Sequence, residues 1–249
     1  MPERRILVTG GSRGIGRASV VALAEAGYQV GLHFGRNLEA AQSVQAQFPS
    51  QIHLFQADLS KPAEVVALWE EAVSKMGGID TLVNNAGVAV SVPVDAPAED
   101  WLTAWQHILQ VNLIAAAQLS RKAVAHFQEH PEGGRLIFVA SRAATRGDTP
   151  EYLAYAASKA GMVAVSKSLA RAYGKAQVKS FVLAPGFTET DMAQDFIDRY
   201  GKAFVLDDLA LPDLTQPEDI AHWVAFLASG RGDHATGCTI DINAGSYVR

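Results

Sequence analysis

Tyr155 and Lys159 are four residues apart in an alanine-rich stretch whose pattern predicts a helix over 153–173. Side chains at this spacing lie on the same face of a helix, so the phenol and the ammonium are expected side by side. A phenol normally titrates near pH ~10, and a neighbouring cation lowers its pKa by favouring the phenolate. The pair could therefore exchange a proton with a substrate at neutral pH. On an ordinary amphipathic helix, the same residues would be two exposed side chains.

A glycine-rich turn comes directly after the first predicted strand and opens the first predicted helix. Glycines there allow a tight turn and let the backbone approach a pyrophosphate, which the positive helix N-terminus attracts. The spacing is Gly-x-x-x-Gly-x-Gly, and no Gly-Lys-Ser/Thr follows as in the phosphate-binding loop of nucleoside triphosphatases. The alternative is a merely flexible turn, but the position between strand and helix favours dinucleotide binding. The turn reads Gly10-Gly11-Ser12-Arg13-Gly14-Ile15-Gly16.

Short apolar runs alternate with longer helical patterns along the chain, which predicts a parallel sheet covered by helices on both faces. The expected fold class is α/β, with a single doubly wound domain over residues 1–249 and a central seven-stranded parallel sheet. The irregular segment 185–212 is too long for an ordinary connection, so we expect a substrate lid at about 187–213 with short helices of its own. Strands are expected at 6–9, 30–34, 53–56, 81–84, 136–140, 179–183 and 239–242, and helices at 15–26, 38–47, 63–75, 99–128, 153–173 and 218–228.

The composition is that of a globular protein, because 49% of the 249 residues are hydrophobic and the net charge is −5. That balance provides no clustered basic surface for nucleic acid. The single cysteine, Cys238, cannot form an internal disulfide, which fits a cytoplasmic location. We find no signal-peptide core and no apolar stretch that could span a bilayer, and expect no membrane association. His126 and His130 lack the His-Glu-x-x-His pattern of a zinc site, so no metal is expected.

Six stretches, in order along the chain, resemble the short-chain dehydrogenase/reductase family. Thr9–Gly16 is similar to the cofactor turn of that family, and Asn84-Asn85-Ala86-Gly87 to its second motif. Tyr155–Lys159 resembles the catalytic Tyr-x-x-x-Lys, whereas Tyr152 has no lysine four residues after it. The resemblance implies an NAD(P)-binding Rossmann-type domain that assembles as a homotetramer. The remaining matches are Asn112, Ser141 and Pro185-Gly186.

The resemblance also implies a role for each of four residues in the reduction of a carbonyl group. Tyr155 would be the general acid, or the general base in the reverse direction. Lys159 would lower the pKa of the phenol and bind the nicotinamide ribose hydroxyls. Ser141 would hydrogen-bond the carbonyl oxygen, and Asn112 would hold a water that links Lys159 to solvent. Taken alone, Ser141 would be a turn residue, and Asn112 a buried amide or a helix irregularity.

NADP(H) is the expected cofactor, in preference to NAD(H). An NAD enzyme places an acid after the second strand to bind the ribose 2′-hydroxyl, and here no acid comes before Glu39. Arg13 and Arg36 can instead converge on a 2′-phosphate, unless they are merely surface charges. Asp58 resembles the residue that bonds the adenine amino group, and a helix-capping carboxylate is its alternative role. Besides the glycine turn, the resemblance implies cofactor contacts from Leu59, Asn85, Ala86, Gly87, Tyr155, Lys159, Pro185, Gly186, Thr188 and Thr190.

Within the family, the greatest likeness is to 3-oxoacyl-[acyl-carrier-protein] reductases, in residues 185–192 and 225–229. It implies NADPH-dependent reduction of a ketone or 3-oxoacyl-type carbonyl to a secondary alcohol. The substrate would be a small-molecule carbonyl or acyl thioester. The alternatives are an NAD(P)-linked alcohol or sugar dehydrogenase working toward oxidation, and a non-catalytic dinucleotide-sensing protein.

The charge of the lid segment argues against an acidic carrier protein as partner. Its local net charge is −5, which should slow association with an acidic protein. The charged residues of the segment are the acids Glu189, Asp191, Asp195, Asp198, Asp207, Asp208 and Asp213 and the bases Arg199 and Lys202.

Overall fold

The computed structural model describes residues 4–190, 197 and 201–248, without the side chains at 202 and 204. Its strands are β1 (Arg5–Val8), β2 (Gln29–Phe34), β3 (Ile52–Gln56), β4 (Thr81–Asn84), β5 (Gly134–Val139), β6 (Val178–Pro185) and β7 (Thr239–Ile242). They form one sheet in the order β3-β2-β1-β4-β5-β6-β7, with every neighbouring pair parallel.

Helices connect the strands and cover both faces of the sheet. They are α1 (Gly14–Glu25), α2 (Leu38–Gln45), α3 (Pro62–Met76), α4 (Ala98–Leu109), α5 (Ala115–Gln128), α6 (Ala143–Arg146), α7 (Leu153–Tyr173), α8 (Lys202–Leu206) and α9 (Pro217–Ala228). The predicted doubly wound parallel sheet is thus confirmed. Among the residues described, no helix combines the length and apolar character needed to cross a membrane.

The sheet separates two apolar cores, which is why its strands read as continuous hydrophobic runs rather than alternating ones. In β5, Leu136 and Phe138 point into the core that is packed under α3, α5 and α7. Ile137 and Val139, the alternate residues, point into the core under α1 and α9. All six residues of β5 are buried, so this strand lies at the centre of the molecule.

The site crevice lies where the strand order reverses, between β1 and β4. The chain runs outward from β1 through β2 to β3, and then returns to place β4 on the other side of β1. In open α/β sheets, ligands bind at this point, outside the carboxyl ends of the strands. The glycine turn after β1 and the segment after β4 therefore meet at one crevice.

A π-helical turn interrupts the helix that was predicted to run unbroken over 99–128. The turn spans Gln110–Ile114 between α4 and α5, and it buries the side chain of Asn112 completely. Such turns occur mostly inside α-helices and often at functional sites. The segment is helical as predicted, and the π-helical turn at Asn112 is the helix irregularity that the sequence analysis named as one reading of this residue.

The predicted lid is described only in part. It contains the short helix α8, in agreement with the expectation of helical structure in this segment. Of the acids and bases counted in the lid, Asp191, Asp195, Asp198 and Arg199 lie outside the described residues.

Candidate active site

The glycine turn is held against the segment after β4 by Thr9 and Asn85. The Thr9 hydroxyl accepts hydrogen bonds from the amides of Asn85 and Ala86, both at 3.0 Å. The Asn85 side chain donates in return to the carbonyls of Thr9 at 2.9 Å and Gly10 at 3.1 Å. Gly10 has a φ of 66°, a left-handed conformation that favours glycine. Asn85 thus fixes the shape of the turn, and Thr9, which begins the predicted cofactor turn, supports it through its hydroxyl.

The first helix starts directly on this turn. Its N-cap residue is Arg13, whose backbone is extended and whose side chain makes no capping hydrogen bond. Because the first amides of a helix have no partner within the helix, the N-terminus of α1 can receive an anion. A side chain at Gly16 would overlap the carbonyl oxygen of Gly10, so the close packing of helix on turn requires glycine there. Ser12 and Ile15 are half-buried in the turn, and Arg13 is exposed.

The segment after β6 reaches back to the glycine turn. The hydroxyl of Thr188 donates to the carbonyl of Gly186 at 3.3 Å, and that of Thr190 to the carbonyl of Thr188 at 3.2 Å. A methyl group added at Gly14 would lie 3.2 Å from a side-chain carbon of Thr190. Pro185 is the last residue of β6. The structure therefore brings the Pro185–Thr190 segment and the glycine turn to the same crevice.

Ser141 and Tyr155 lie together although fourteen residues separate them. Ser141 follows β5, and Tyr155 is in the first turn of α7. The Ser141 side chain lies close enough to the Tyr155 hydroxyl to act on its pKa, and it accepts a hydrogen bond from the Ala143 amide at 3.1 Å. The amide fixes the serine hydroxyl in the direction of the phenol. The two hydroxyls expected to contact a carbonyl oxygen are thus adjacent.

Lys159 lies under Tyr155 in a buried position. Its ammonium is 5.7 Å from the centre of the Tyr155 ring and donates a hydrogen bond to the Val139 carbonyl at 2.8 Å. Burial lowers the pKa of Lys159 to about 8. Burial likewise raises the pKa of Tyr155 to about 12, although the hydrogen bond from Ser141 acts to lower it.

These pKa directions correct one expectation. The sequence predicted that Lys159 would lower the pKa of Tyr155, whereas the phenol of the structure has a raised pKa. Desolvation of the phenolate raises the pKa of Tyr155 by more than Ser141 lowers it. The charge of the nearby Asp148 carboxylate raises the pKa further. The Tyr155 phenol is therefore neutral at pH 7.

Asn112 connects the segment after β4 with α7. Its side-chain oxygen accepts from the Val88 amide at 2.8 Å, and its nitrogen donates to the Val88 carbonyl at 2.9 Å and to the Ser158 hydroxyl at 3.0 Å. Ser158 in turn donates to the backbone carbonyl of Tyr155 at 2.7 Å. A methyl group added at Gly87 would lie 3.3 Å from the Lys159 nitrogen and 3.4 Å from the Asn112 oxygen. Asn112 and Lys159 thus meet at Gly87, and Ser158 is a supporting residue that sequence reasoning missed.

On the opposite side of the crevice, Asp58 has the contacts of a turn residue. One carboxylate oxygen accepts from the Ser60 amide at 3.0 Å and from the Ser60 hydroxyl at 2.6 Å. These bonds hold the pKa of Asp58 below its usual range, and the charges of Lys61 and Arg36 contribute. Arg36 is exposed and faces this carboxylate, while Leu59 is buried beside it. The structure therefore places Arg36, Asp58 and Leu59 in one group.

His33, near the end of β2, was not predicted as a site residue, but its buried ring contacts the backbone on two sides of the crevice. Its Nδ1 accepts from the Gly10 amide at 3.1 Å, and its Nε2 lies 3.0 Å from the Ala57 carbonyl. Burial lowers the pKa of His33 to about 4, so the ring is neutral and Nε2 carries the proton. The imidazole thereby joins the ends of β1, β2 and β3. Only the pairing register of the strands brings these groups together.

The negative charge expected at the lid is partly neutralised from outside the lid. Asp208 forms ion pairs with Arg142 at 2.6 Å and Arg146 at 3.1 Å, which lie at the two ends of the short helix α6. Glu189 accepts a hydrogen bond from the Gln216 side chain at 2.8 Å. The net charge of −5 counts only residues within 187–213, and it leaves out the two arginines that pair with Asp208. The negative charge around Asp208 is therefore smaller than that count suggests. Within the described ranges, no group of three or more potential metal ligands is present.

Comparison of the sequence with known proteins identifies relatives that align over nearly the whole chain. The family model described as short chain dehydrogenase matches residues 4–201. Nodulation protein G of Rhizobium sp. (strain N33) is 36% identical over 245 residues, which cover 97% of this chain and 96% of that protein. The 3-oxoacyl-[acyl-carrier-protein] reductase FabG of Escherichia coli (strain K12) is 34% identical over 242 residues, with 97% and 96% covered.

Solved structures show the same fold over nearly the whole chain. A short chain dehydrogenase from Burkholderia cenocepacia J2315 in complex with NADP superposes with a TM-score of 0.90 at 32% identity, covering 98% of this chain and 97% of that one. A 3-ketoacyl-(acyl-carrier-protein) reductase from Brucella melitensis complexed with NADH has a TM-score of 0.88 at 28% identity, with 98% of both chains covered.

Proposed function

The chain belongs to the short-chain dehydrogenase family, and we propose that it is an NADP(H)-dependent reductase of ketones or 3-oxoacyl-type carbonyls. The observation that carries this proposal is the placement of the Ser141 side chain beside a neutral, half-buried Tyr155, with the buried Lys159 beneath it. Two adjacent hydroxyls, one of them a proton donor, suit the oxygen of a carbonyl group that is being reduced.

The crevice fits a dinucleotide. The uncapped N-terminus of α1 and the turn at Gly10–Gly16 can receive the pyrophosphate, as described above. We assign the adenosine half to Arg36, Asp58 and Leu59, and the nicotinamide half to the residues after β4 and β6. When bound, the nicotinamide supplies the hydride that adds to the carbonyl carbon. The proposed contacts after these strands are Asn85, Ala86, Gly87, Pro185, Gly186, Thr188 and Thr190, with Tyr155 and Lys159 from α7.

The protein side chains manage the proton and the charge on oxygen. In this proposal, Tyr155 donates its hydroxyl proton to the carbonyl oxygen, which becomes the alcohol oxygen of the product. Ser141 donates a hydrogen bond to the same oxygen and is held for this by the Ala143 amide. The Lys159 ammonium stabilises the negative charge that the proton transfer leaves on Tyr155. Asn112, which meets Lys159 at Gly87, holds the water through which the proton is replaced.

The raised pKa of Tyr155 suits the role of proton donor that this proposal gives it. Reduction needs a protonated phenol, which a pKa of about 12 maintains throughout the neutral range. Oxidation of an alcohol would need the phenolate, whose charge is disfavoured by burial. The same residues serve both directions, so an alcohol dehydrogenase that works toward oxidation stays the alternative function.

The preference for NADP(H) rests on charge. No acid stands between the end of β2 and Glu39 to bind a 2′-hydroxyl, and Arg36 faces the group assigned to the adenosine. Arg13 is exposed at the start of α1, on the glycine turn. The NADP complex of the Burkholderia relative supports this preference, while the Brucella relative was solved with NADH.

The remaining assignments follow the family and are proposals as well. They comprise a single domain over 1–249, a lid at about 187–213, a homotetramer and a cytoplasmic location. The 3-oxoacyl substrate is supported by the name of the Escherichia coli relative at 34% identity.

NADPH oxidation by the purified protein tests this function directly. The substrates are a panel of ketones, aldehydes and 3-oxoacyl thioesters, each also assayed with Tyr155→Phe to identify turnover that depends on the phenol. Reduction of at least one carbonyl class that Tyr155→Phe abolishes is the expected result. Cofactor binding without turnover on any member would contradict it and would favour a dinucleotide-sensing protein.

A further inference from the structure

Ser158 is completely buried in α7, directly before Lys159. Its hydroxyl has two partners, which belong to two different elements. It donates to the backbone carbonyl of Tyr155 at 2.7 Å, three residues earlier in the same helix. It also accepts from the side-chain nitrogen of Asn112 at 3.0 Å, across 46 residues of sequence. Ser158 thus joins the π-helical turn that contains Asn112 to the helix that contains Tyr155 and Lys159.

The number of available hydrogens determines the direction of these bonds. A hydroxyl has one hydrogen, and that of Ser158 goes to the Tyr155 carbonyl, so its oxygen can only accept from Asn112. The side-chain nitrogen of Asn112 has two hydrogens, one for Ser158 and one for the Val88 carbonyl at 2.9 Å. The Val88 amide requires the same orientation, because it can only donate, and it reaches the Asn112 oxygen at 2.8 Å.

This orientation presents the oxygen of Asn112, rather than its nitrogen, on the side of Lys159. A methyl group added at Gly87 would lie 3.4 Å from that oxygen and 3.3 Å from the Lys159 nitrogen, so both atoms border the same point. An amide oxygen accepts two hydrogen bonds, and the Val88 amide supplies one of them. An oxygen here attracts a buried ammonium and its water, whereas an NH₂ group would repel the ammonium.

We propose that Ser158 is a positioning residue that holds the Asn112 oxygen toward Lys159 and thereby maintains the proton supply of Tyr155. This inference rests on the proposed reductase function, in which Asn112 holds the water through which the proton is replaced. In each turnover, the O–H bond of Tyr155 breaks and the O–H bond of the product alcohol forms. The resulting phenolate takes a proton from Lys159, and Lys159 takes one from the water. Without Ser158, one hydrogen of the Asn112 side chain loses its partner in the protein interior, and the amide is held less firmly.

Ser166 provides the matched control. It is also completely buried on α7, about two turns after Ser158, and its hydroxyl lies 2.8 Å from that of Ser180 in β6. Ser158→Ala and Ser166→Ala each remove one buried hydroxyl from the same helix, and each leaves a polar partner behind. Only Ser158→Ala removes a contact of Asn112.

The experiment compares the first turnover with later ones at pH 7, on a carbonyl that the wild-type protein reduces. Tyr155 is neutral at this pH, so the first turnover uses a proton that is already in place. Ser158→Ala should lower steady-state kcat by roughly 5- to 100-fold, the usual effect of a buried polar group left unpaired. The first-turnover rate and kcat/KM, which precede the replacement of the proton, should stay within about threefold of wild type. Ser166→Ala should leave all three within about twofold.

Three results would overturn the inference. The first is a kcat of Ser158→Ala equal to that of the wild type, which means that Asn112 does not need this partner. The second is an equal fall of kcat in both variants, which indicates a general loosening of α7. The third is a first-turnover rate that falls as far as kcat, which indicates that Ser158 acts on Tyr155 directly through its backbone carbonyl.

Neutron diffraction from wild-type crystals exchanged into heavy water separates this inference from the reductase proposal, because it locates the hydrogens without any turnover. The expected result is a Ser158 deuterium directed at the Tyr155 carbonyl, with the two side-chain deuteriums of Asn112 directed at Ser158 and Val88. A Ser158 deuterium directed at Asn112 would overturn the inference, even if carbonyls are reduced. If no carbonyl is reduced, the reductase function fails, and the neutron result alone decides whether Ser158 orients Asn112.

Discussion

The Lys159 ammonium lies 5.7 Å from the centre of the Tyr155 ring, and burial moves the pKa values of the two groups in opposite directions. Lys159 has a pKa of about 8 and Tyr155 one of about 12, so at pH 7 the lysine is mostly charged and the phenol is neutral. Both groups are thus in the state that carbonyl reduction requires. The pH at which this state is lost differs for the two residues, and it can be measured.

Reduction should decline above pH 8. With saturating NADPH, we expect kcat/KM for the carbonyl to be level at neutral pH and to fall as Lys159 loses its proton, because the charge that stabilises ionised Tyr155 disappears. Lys159→Arg should be slower but should show no fall near pH 8, since guanidinium stays protonated. A wild-type profile that is level to pH 10 would refute this role of Lys159.

The buried charge of Lys159 should also weaken the fold in a pH-dependent way. Its pKa falls from 10.5 in the unfolded chain to about 8 on folding, so the loss of stability is complete below pH 8 and disappears as the pH rises toward 10.5. Lys159→Met should stabilise the protein at pH 7 by about 3 kcal/mol at most, with the gain diminishing by pH 10. Thermal unfolding at both pH values measures this. Lys167→Met, an exposed position on the same helix, is the control, and an equal gain there would contradict the explanation.

Replacing His33 should weaken cofactor binding more than catalysis. In His33→Phe the Gly10 amide and the Ala57 carbonyl lose their partner, which costs about 1–3 kcal/mol for each buried group left unpaired. We expect a lower free energy of unfolding and a higher KM for NADPH, with a smaller change in kcat. His33→Gln, which offers one acceptor and one donor, should recover part of both. An unchanged KM for NADPH in His33→Phe would show that the contacts of His33 with Gly10 and Ala57 do not shape the cofactor site.

Cofactor preference should depend on Arg36. Arg36→Ala should reduce the ratio of kcat/KM for NADPH over NADH by roughly 10- to 100-fold, as expected for the loss of a charged hydrogen bond to a 2′-phosphate. Arg17→Ala, an exposed arginine in the first turn of α1, should leave the ratio within about twofold. Equal efficiency with both cofactors in the wild-type protein would contradict the preference itself.

The parallel sheet could be predicted from sequence because its strands are buried on both faces. The bounds of β4 and β7 agree with prediction, and the other strand ends differ by at most two residues. Helix α7 was also predicted over its full length, since Leu153–Tyr173 has a regular period and a glycine after it. Local pattern is sufficient wherever the neighbours of a residue along the chain determine its environment.

The parts that were missed depend on distant partners. His33 meets Gly10 and Ala57 only through the register of three strands, and Arg142 meets Asp208 across 66 residues of sequence. The direction of the Tyr155 pKa shift was missed for the same reason. The spacing to Lys159 was visible in the sequence, whereas the burial of Lys159 and the partial burial of Tyr155 are properties of the packed structure.

Tyr155→Phe tests the central proposal most directly, because it removes a single oxygen from the site. We expect kcat for NADPH-dependent carbonyl reduction to fall by about 10²- to 10⁴-fold, the usual contribution of a positioned general acid. Tyr152→Phe, the same substitution three residues earlier, should retain the wild-type rate within about twofold. Tyr155→Phe that reduces the same carbonyl at close to the wild-type rate would contradict Tyr155 as the proton donor.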